Sequence, residues 1–170
     1  MKKLLITLLF SFAVMASVGH LNAQDVKNSS YELMLRGLLS HTVEEVEPEE
    51  VAEMDDVVLL DSRELDEYEV SHIEDADYVG YDEFDPSFVD DIPRDQKIVV
   101  YCSVGYRSEK ITEKLLQMGF TDVANMYGGI FEWVNMGYSV VDMDGNETDS
   151  VHAYDRIWGV WLDSDAKVYD

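Results

Sequence analysis

The stretch at residues 98–108 reads IVVYCSVGYRS and contains the clearest structural signal of the chain. Its first four residues form a compact apolar run, which predicts a strand buried on both faces. Cys102 follows directly, and Gly105 allows a tight turn before a helical face that includes Ile111 and Leu115. A strand, a turn and a helix in this order favour an α/β fold. Such folds place their ligand sites at the carboxyl ends of the strands, where Cys102 stands.

The rest of the chain supports a mainly parallel central sheet flanked by helices. Short apolar runs predict further strands at 43–46, 57–60, 73–79, 123–126 and 139–141. Apolar residues at helical spacing predict helices at 25–40, 48–54 and 109–118. Ser30 is a candidate cap for the first of these helices. The alternation of short strands and helices therefore predicts one α/β domain.

Residues 142–170 differ in character from the preceding chain. Turn signals at Asp144-Gly145 and at 163–165 enclose several large apolar side chains, which is atypical of a free tail. We expect this C-terminal extension to pack on the domain, with a β-hairpin formed by 158–162 and 167–169.

The chain divides into four segments by composition. Lys2 and Lys3 precede an apolar run from Leu4 to Ala16, which predicts a signal peptide over 1–23. An N-terminal helical segment follows at 24–42, then the α/β domain at 43–141 and the extension at 142–170. We therefore expect an exported protein, periplasmic or secreted, with no stable membrane insertion after signal cleavage. An uncleaved membrane anchor is the alternative.

The charge of the chain excludes two classes of partner. Twelve Lys and Arg residues stand against 36 Asp and Glu residues, for a formal net charge of −24. Nucleic acids and anionic membranes are bound through clustered Lys and Arg, so neither is an expected partner. The acidity itself is interpreted as a contribution to solubility.

Cys102 is the only cysteine of the chain, so no internal disulfide can form. A lone thiol in an oxidising compartment is a liability unless it is buried or takes part in the chemistry of the protein. Backbone N–H groups of the turn at Gly105, the amino end of the following helix and the cation of Arg107 are expected to stabilise the thiolate. An inert buried cysteine is the alternative.

The Cys-x-x-Gly-x-Arg-Ser segment after a Val-rich strand resembles the active-site loop of the rhodanese family. Other segments resemble signatures of that family in the same order, and the resemblance extends from about residue 43 to residue 141. These segments are Leu60–Arg63, Glu67-Tyr68, Ser71–Ala76, Met118–Phe120 and Tyr127–Trp133.

This resemblance implies a rhodanese-like domain in which Cys102 accepts a sulfur atom. It also implies that Arg107 contacts the anionic group of the substrate. Asp61 and Arg63 are expected to form a supporting ion pair under the loop, and His72 to be a hydrogen-bonding residue. No metal or organic cofactor is expected. The implied substrate-binding residues are Ser103, Val104, Gly105, Tyr106, Arg107 and Ser108.

The length of the loop distinguishes two kinds of chemistry within this fold. Four residues separate Cys102 from Arg107, whereas phosphatases that resemble the family have five, which makes a ring large enough for phosphate. The expected function is therefore sulfur transfer, from a small sulfur donor through a Cys102 persulfide to a thiol or cyanide acceptor. Glu64, Asp66 and Glu67 disfavour the thiosulfate dianion as the natural donor. A sulfur-binding or redox-sensing module with little turnover is the second hypothesis, and phosphatase or arsenate reductase chemistry the third.

Overall fold

The computed structural model describes residues 23–169. Residues 1–22, which contain nearly all of the predicted signal peptide, lie outside the described residues, as does Asp170. None of the helices between residues 23 and 169 combines the length and the apolar character needed to cross a bilayer. In chain order the elements are α1 (Ala23–Leu38), β1 (Glu44–Val46), α2 (Pro48–Ala52), β2 (Val58–Asp61), α3 (Leu65–Val70), β3 (Asp77–Tyr78), a 3-10 helix (Pro86–Val89), β4 (Ile98–Tyr101), α4 (Tyr106–Gln117), β5 (Val123–Met126), α5 (Gly129–Asn135), β6 (Val140–Val141), β7 (Glu147–Thr148), β8 (Ser150–His152), a second 3-10 helix (Trp158–Val160) and β9 (Ala166–Val168).

The main sheet has five strands in the order β1-β5-β4-β2-β3, and all of its neighbouring pairs are parallel. The α/β fold with a parallel central sheet is thus confirmed. β4 is the middle strand, and its four residues are fully buried, as the apolar run predicts. Cys102 leaves the sheet at the carboxyl end of this strand.

Side chains that alternate along β4 enter two different cores, because successive residues of a strand point to opposite faces. Ile98 and Val100 pack in one core, which Ile111 and Leu115 of α4 complete. Val99 and Tyr101 pack in the other core, together with residues of α1, α5 and the extension. Helices therefore cover both faces of the sheet.

The segment before β1 is part of the second core. Tyr31 and Leu35 are buried in it, and the Tyr31 hydroxyl donates to the Gly128 carbonyl at 2.8 Å. The prediction that Ser30 caps α1 is wrong, because the helix already begins at Ala23. No Gly or Pro stands between Ala23 and Ser30, so nothing in this part of the sequence prevents the helix from beginning before Ser30.

The expected hairpin of the extension is wrong in both its position and its direction. The antiparallel pair joins β6 to β7 across the Asp142–Gly145 turn, whereas β8 and β9 pair in parallel. The Asp155 carboxylate accepts the N–H groups of Ile157 and Trp158 at 2.7 and 2.9 Å. These bonds fold residues 158–160 into a 3-10 turn, so this segment forms part of the crossover that a parallel pair requires.

Candidate functional site

The Cys102 sulfur lies at the start of a tight loop between β4 and α4. The side chain is buried, with 1% of its surface exposed, and it is a free thiol. The Gly105 N–H donates to Sγ over 3.1 Å. The twelve-residue helix α4 begins immediately after this glycine, so its amino end adds a positive field close to the sulfur.

Gly105 gives the loop its shape because its φ is +102°, in the left-handed region that favours glycine. Its carbonyl accepts from Asn125 Nδ2 at 3.1 Å, and Asn125 is fully buried on β5. The turn is therefore held by the strand beside β4.

The amino end of α5 holds the other side of the loop. The N–H groups of Ile130 and Phe131 donate to the carbonyls of Cys102 and Ser103 at 2.8 and 3.1 Å. Gly129 makes this approach feasible, because a Cβ at that position would lie 2.3 Å from the Cys102 carbonyl oxygen. Two helix amino ends thus meet at the loop.

Arg107 is engaged by an acidic residue of the protein itself. Its Nη1 and Nη2 donate to the two carboxylate oxygens of Glu67 at 2.6 and 2.8 Å. The Ser103 hydroxyl donates to Glu67 at 2.8 Å and accepts from Arg107 at 3.0 Å. The side chains of Ser103, Glu67 and Arg107 therefore form one closed network next to the thiol.

This network shifts the pKa values of both charged partners. Burial alone would raise the pKa of Glu67, but the bonds and charge of Arg107 outweigh it and hold that pKa below its ordinary value. Burial alone would lower the pKa of Arg107, but Glu67 and the charge of a Cys102 thiolate outweigh it and raise that pKa. Both groups are therefore ionised at neutral pH.

A cavity of about 410 Å³ opens in front of the loop. The C-terminal extension forms part of its wall, and the Tyr154 ring lies over the Arg107 guanidinium at 5.3 Å. The cavity is lined by Leu38, Glu64, Tyr81, Asp82, Cys102, Ser103, Val104, Tyr106, Arg107, Tyr154 and Trp158.

The residues predicted to support the loop lie beneath it and do not line the cavity. Asp61 and Arg63 form a fully buried ion pair, with Arg63 Nη2 at 2.6 Å from Asp61 Oδ2. The same nitrogen donates to the Ser71 carbonyl at 2.6 Å, whereas Arg63 Nη1 is buried without a hydrogen-bond partner among the described residues. His72 stacks on the Tyr68 ring, and its Nδ1 lies 3.2 Å from the Tyr68 carbonyl oxygen.

A model of a known protein family matches the part of the chain that contains this loop. The model of the rhodanese-like domain matches residues 47–136, which is more than half of the chain. The chain belongs to the rhodanese-like domain family.

Two groups of relatives share the rhodanese-like region. A sulfurtransferase from Allochromatium vinosum is 34% identical over 95 residues, which cover 56% of this chain and 88% of the relative. A tRNA uridine(34) hydroxylase from Acinetobacter baylyi is 32% identical over 117 residues, which cover 65% of this chain and 37% of the relative. The chain thus spans less than two fifths of the length of that hydroxylase.

Solved structures share the rhodanese-like fold. Thiosulfate sulfurtransferase from Pseudomonas aeruginosa superimposes with a TM-score of 0.56 at 23% identity, over 71% of this chain and 23% of that protein. The BH2092 protein from Bacillus halodurans superimposes with a TM-score of 0.55 at 20% identity, over 69% and 88% of the two chains. At these identities the similarity concerns the fold.

The structure brings together most of the residues predicted to bind substrate. Ser103, Val104 and Arg107 line the cavity with Tyr106, and Gly105 donates to the sulfur. Ser108 does not line it, because its side chain is fully buried on α4. Its hydroxyl is buried without a hydrogen-bond partner in the part of the chain that the structure describes, and its predicted contact with the substrate stays a prediction.

Several lining residues were missed by the sequence reasoning. Tyr81 and Asp82 lie in a loop with no sequence pattern that indicates a site, and Tyr154 and Trp158 lie in the extension. Glu67 does not line the cavity, and it was visible in the sequence in two ways. It belongs to the Glu67-Tyr68 segment that resembles a family signature, and it stands three residues after Glu64 in a capping box that opens α3. That pattern predicts a helix start, and it does not by itself indicate pairing with Arg107.

Among the side chains that the structure describes, at residues 29–169, no three His, Cys, Asp or Glu are grouped as a metal ion would require. The expectation that the chemistry needs no metal stays a prediction.

Proposed function

We propose that the protein is a sulfurtransferase in which Cys102 carries a sulfane sulfur as a persulfide and passes it to a thiol or cyanide. The observation that carries this proposal is the position of the Cys102 sulfur. It stands on a four-residue loop that opens to a 410 Å³ cavity, and it accepts the Gly105 N–H. Membership of the rhodanese-like family supports the same chemistry.

In the first step the Cys102 thiolate attacks the outer sulfur of the donor, and the bond between that sulfur and the rest of the donor breaks. The electron pair of that bond leaves with the donor remnant, which is a thiolate from a persulfide and sulfite from thiosulfate. The Gly105 N–H and the amino end of α4 stabilise the negative charge on sulfur before attack and on the persulfide afterwards. In the second step an acceptor attacks the terminal sulfur, and the bonding electrons return to Cys102.

The pairing of Arg107 with Glu67 favours a persulfide over thiosulfate as the donor. A dianion approaching the loop meets a guanidinium whose charge is already compensated by a carboxylate at 2.6 Å. Its attraction to the site is weak for that reason. Thiosulfate is therefore proposed to be a slow donor.

The chemistry of the tRNA-modifying relatives is not proposed for this chain. The chain spans 37% of one such hydroxylase and 25% of another. Its net charge of −24 opposes binding to RNA. The proposed partners are a small sulfur donor and a thiol acceptor, outside the cytoplasm in keeping with the predicted signal peptide.

A sulfur-binding or redox-sensing module is the second candidate, and one observation favours it. Only 1% of the Cys102 surface is exposed, which would slow discharge to a bulky acceptor. This candidate shares the loading step with the first and differs in turnover.

Intact mass after incubation with thiosulfate or with a small persulfide tests the proposal. We expect a gain of one sulfur that cyanide or a small thiol removes, and no gain in Cys102→Ser. No adduct from any donor would refute sulfur transfer, whereas an adduct that never discharges would favour the binding module. Hydrolysis of an aryl phosphate that depends on Cys102 would instead favour a phosphatase.

A further inference from the structure

The ionisable side chains that line the cavity, among the described residues, carry more negative than positive charge. Glu64 and Asp82 contribute carboxylates, and Arg107 contributes a guanidinium. Arg107 is already bound at two oxygens by Glu67, with distances of 2.6 and 2.8 Å. A ligand entering the cavity therefore meets a negative potential, to which a Cys102 thiolate or persulfide anion adds.

Aromatic rings supply much of the remaining lining. Two of them already hold cations of the protein, since Arg107 lies 5.3 Å from the Tyr154 centroid and Lys114 Nζ lies 5.6 Å from that of Tyr81. Aromatic faces accompanied by carboxylates are surroundings in which proteins bind ammonium groups. The lining rings are Tyr81, Tyr106, Tyr154 and Trp158.

We propose that the sulfur acceptor is a small thiol that carries an ammonium group, bound by the carboxylates of Glu64 and Asp82 and by the Trp158 ring. This inference rests on the proposed function and names the substrate class for the same site. A cavity of 410 Å³ accepts a molecule of about the size of an amino acid with room to spare. Anionic thiols of the same size are disfavoured by charge and not by fit.

The transfer balances without a further reactant. The acceptor thiolate forms a bond to the terminal sulfur of the Cys102 persulfide, and the bond between that sulfur and Sγ breaks. The electron pair of the broken bond stays on Sγ, which becomes the thiolate that accepts the Gly105 N–H. The proton that the acceptor thiol gives up on becoming a thiolate passes to the terminal sulfur of the persulfide anion and leaves with that sulfur on the new acceptor persulfide.

The test uses the full protein loaded with one sulfur and freed of donor. The loaded protein is mixed with 2-aminoethanethiol, 2-mercaptoethanol or 3-mercaptopropionate, which carry an ammonium, a neutral hydroxyl and a carboxylate. Loss of the bound sulfur is followed by intact mass. The rate with the amine divided by the rate with the neutral thiol is the selectivity of each protein variant.

Two protein variants show whether the selectivity comes from the cavity. The intrinsic reactivity of each thiol is the same with every variant, so a change in selectivity reports a change in the protein. Glu64→Gln combined with Asp82→Asn removes the two carboxylates of the cavity. Asp66→Asn combined with Glu69→Gln is the control, because it removes the same charge from two exposed positions of α3 outside the lining. Gln at position 64 keeps an oxygen that can accept the N–H of Glu67 in the capping box.

We expect the selectivity to fall by about fivefold in the cavity variant and to stay near the wild-type value in the control. Trp158→Leu is expected to lower it as well. Equal selectivity in wild type and cavity variant, with normal loading and discharge, would overturn this inference and leave sulfur transfer standing. Failure of Cys102 to load from any donor would instead overturn the proposed function.

Discussion

At the scale of single residues, Glu67 decides how much positive charge reaches the thiol. Its carboxylate is almost completely buried and binds Arg107 through both oxygens, with the Ser103 hydroxyl as a third partner. The Glu64 N–H donates to it as well, at 3.0 Å. One carboxylate thus links the start of α3, the loop and the start of α4.

We expect Glu67→Gln to lower the free energy of unfolding by about 2 kcal/mol at neutral pH, because it removes the carboxylate that binds Arg107 at two oxygens and leaves only Glu64, at 3.8 Å, as a counter-charge among the described residues. The pKa of Glu67 is lower in the folded chain than in the unfolded chain. The unfolded chain therefore binds more protons in acid, and the contribution of Glu67 is complete above its ordinary pKa of 4.5 and is lost as the pH falls below it. Urea unfolding of both proteins from pH 7 to pH 3 measures this difference.

Other carboxylates with lowered pKa values, such as Glu109, titrate in both proteins and cancel in the comparison. Glu69→Gln, on an exposed position of the same helix, is the control and should leave stability unchanged. A wild-type advantage that persists undiminished at pH 3 would contradict the assignment.

The residues of the loop were predictable because they follow each other along the chain. Cys102, Gly105 and Arg107 could be placed at the end of a strand from sequence spacing alone. The partner of Arg107 could not be placed, because Glu67 lies 40 positions away and is brought there by the packing of α3. The expected role of Arg107 toward an anionic group stays a prediction, and the pairing changes the charge that such a group would meet.

At the scale of elements, the amino end of α5 clamps the loop that carries the thiol. Gly129 has a φ of +59°, and its Cα lies too close to the Cys102 carbonyl for a side chain. In the sequence, Gly129 is part of the Tyr127–Trp133 segment that resembles a family signature, and its contact with Cys102 follows only from the fold.

We expect Gly129→Ala to displace the loop and reduce sulfur loading of Cys102 by at least about tenfold, since a small misplacement of reacting groups has a large kinetic effect. Gly137→Ala is the matched control, because Gly137 also has a positive φ but no atom stands within 4 Å of its added Cβ. Backbone strain is common to both variants, and the clash is confined to the first. Intact-mass loading rates and thermal unfolding of both variants check this, and equal loading rates would contradict it.

Elements defined by apolar runs were predicted closely, and those of the extension were not. β4 and β5 have the expected positions because they are buried on both faces. β8 and β9 are short strands that pair in parallel, and their pairing depends on the Asp155 turn between them. Local sequence does not determine such pairing, because a crossover sets it.

At the scale of the whole molecule, the net charge of the protein and the Arg107 charge at the loop act on an anionic donor in opposite directions. The net charge of −24 repels thiosulfate at a distance, while the Arg107 cation, whose charge Glu67 compensates, attracts it only weakly at the loop. The long-range repulsion is the part that salt screens most strongly, because its range exceeds the Debye length.

We expect the rate of sulfur loading from thiosulfate to rise severalfold when potassium chloride increases from about 10 mM to about 100 mM, as the Debye length shortens from ~30 Å to ~10 Å. Loading from an uncharged persulfide should remain nearly constant over the same range and serves as the control. Stopped-flow mixing with mass detection measures both rates. A thiosulfate rate that falls with salt would show that attraction by Arg107 dominates at all distances.

The wall that Tyr154 and Trp158 give to the cavity also has a consequence for the timing of biosynthesis. The ribosome adds Trp158 about 3 to 10 s after Arg107 at the usual rates of translation. Until then a nascent chain can form the strand and loop of Cys102 but not the side of the cavity built by the extension. During that interval the loop therefore lacks the wall that Tyr154 and Trp158 form in the complete protein, and small electrophiles would not have to pass these rings to reach it.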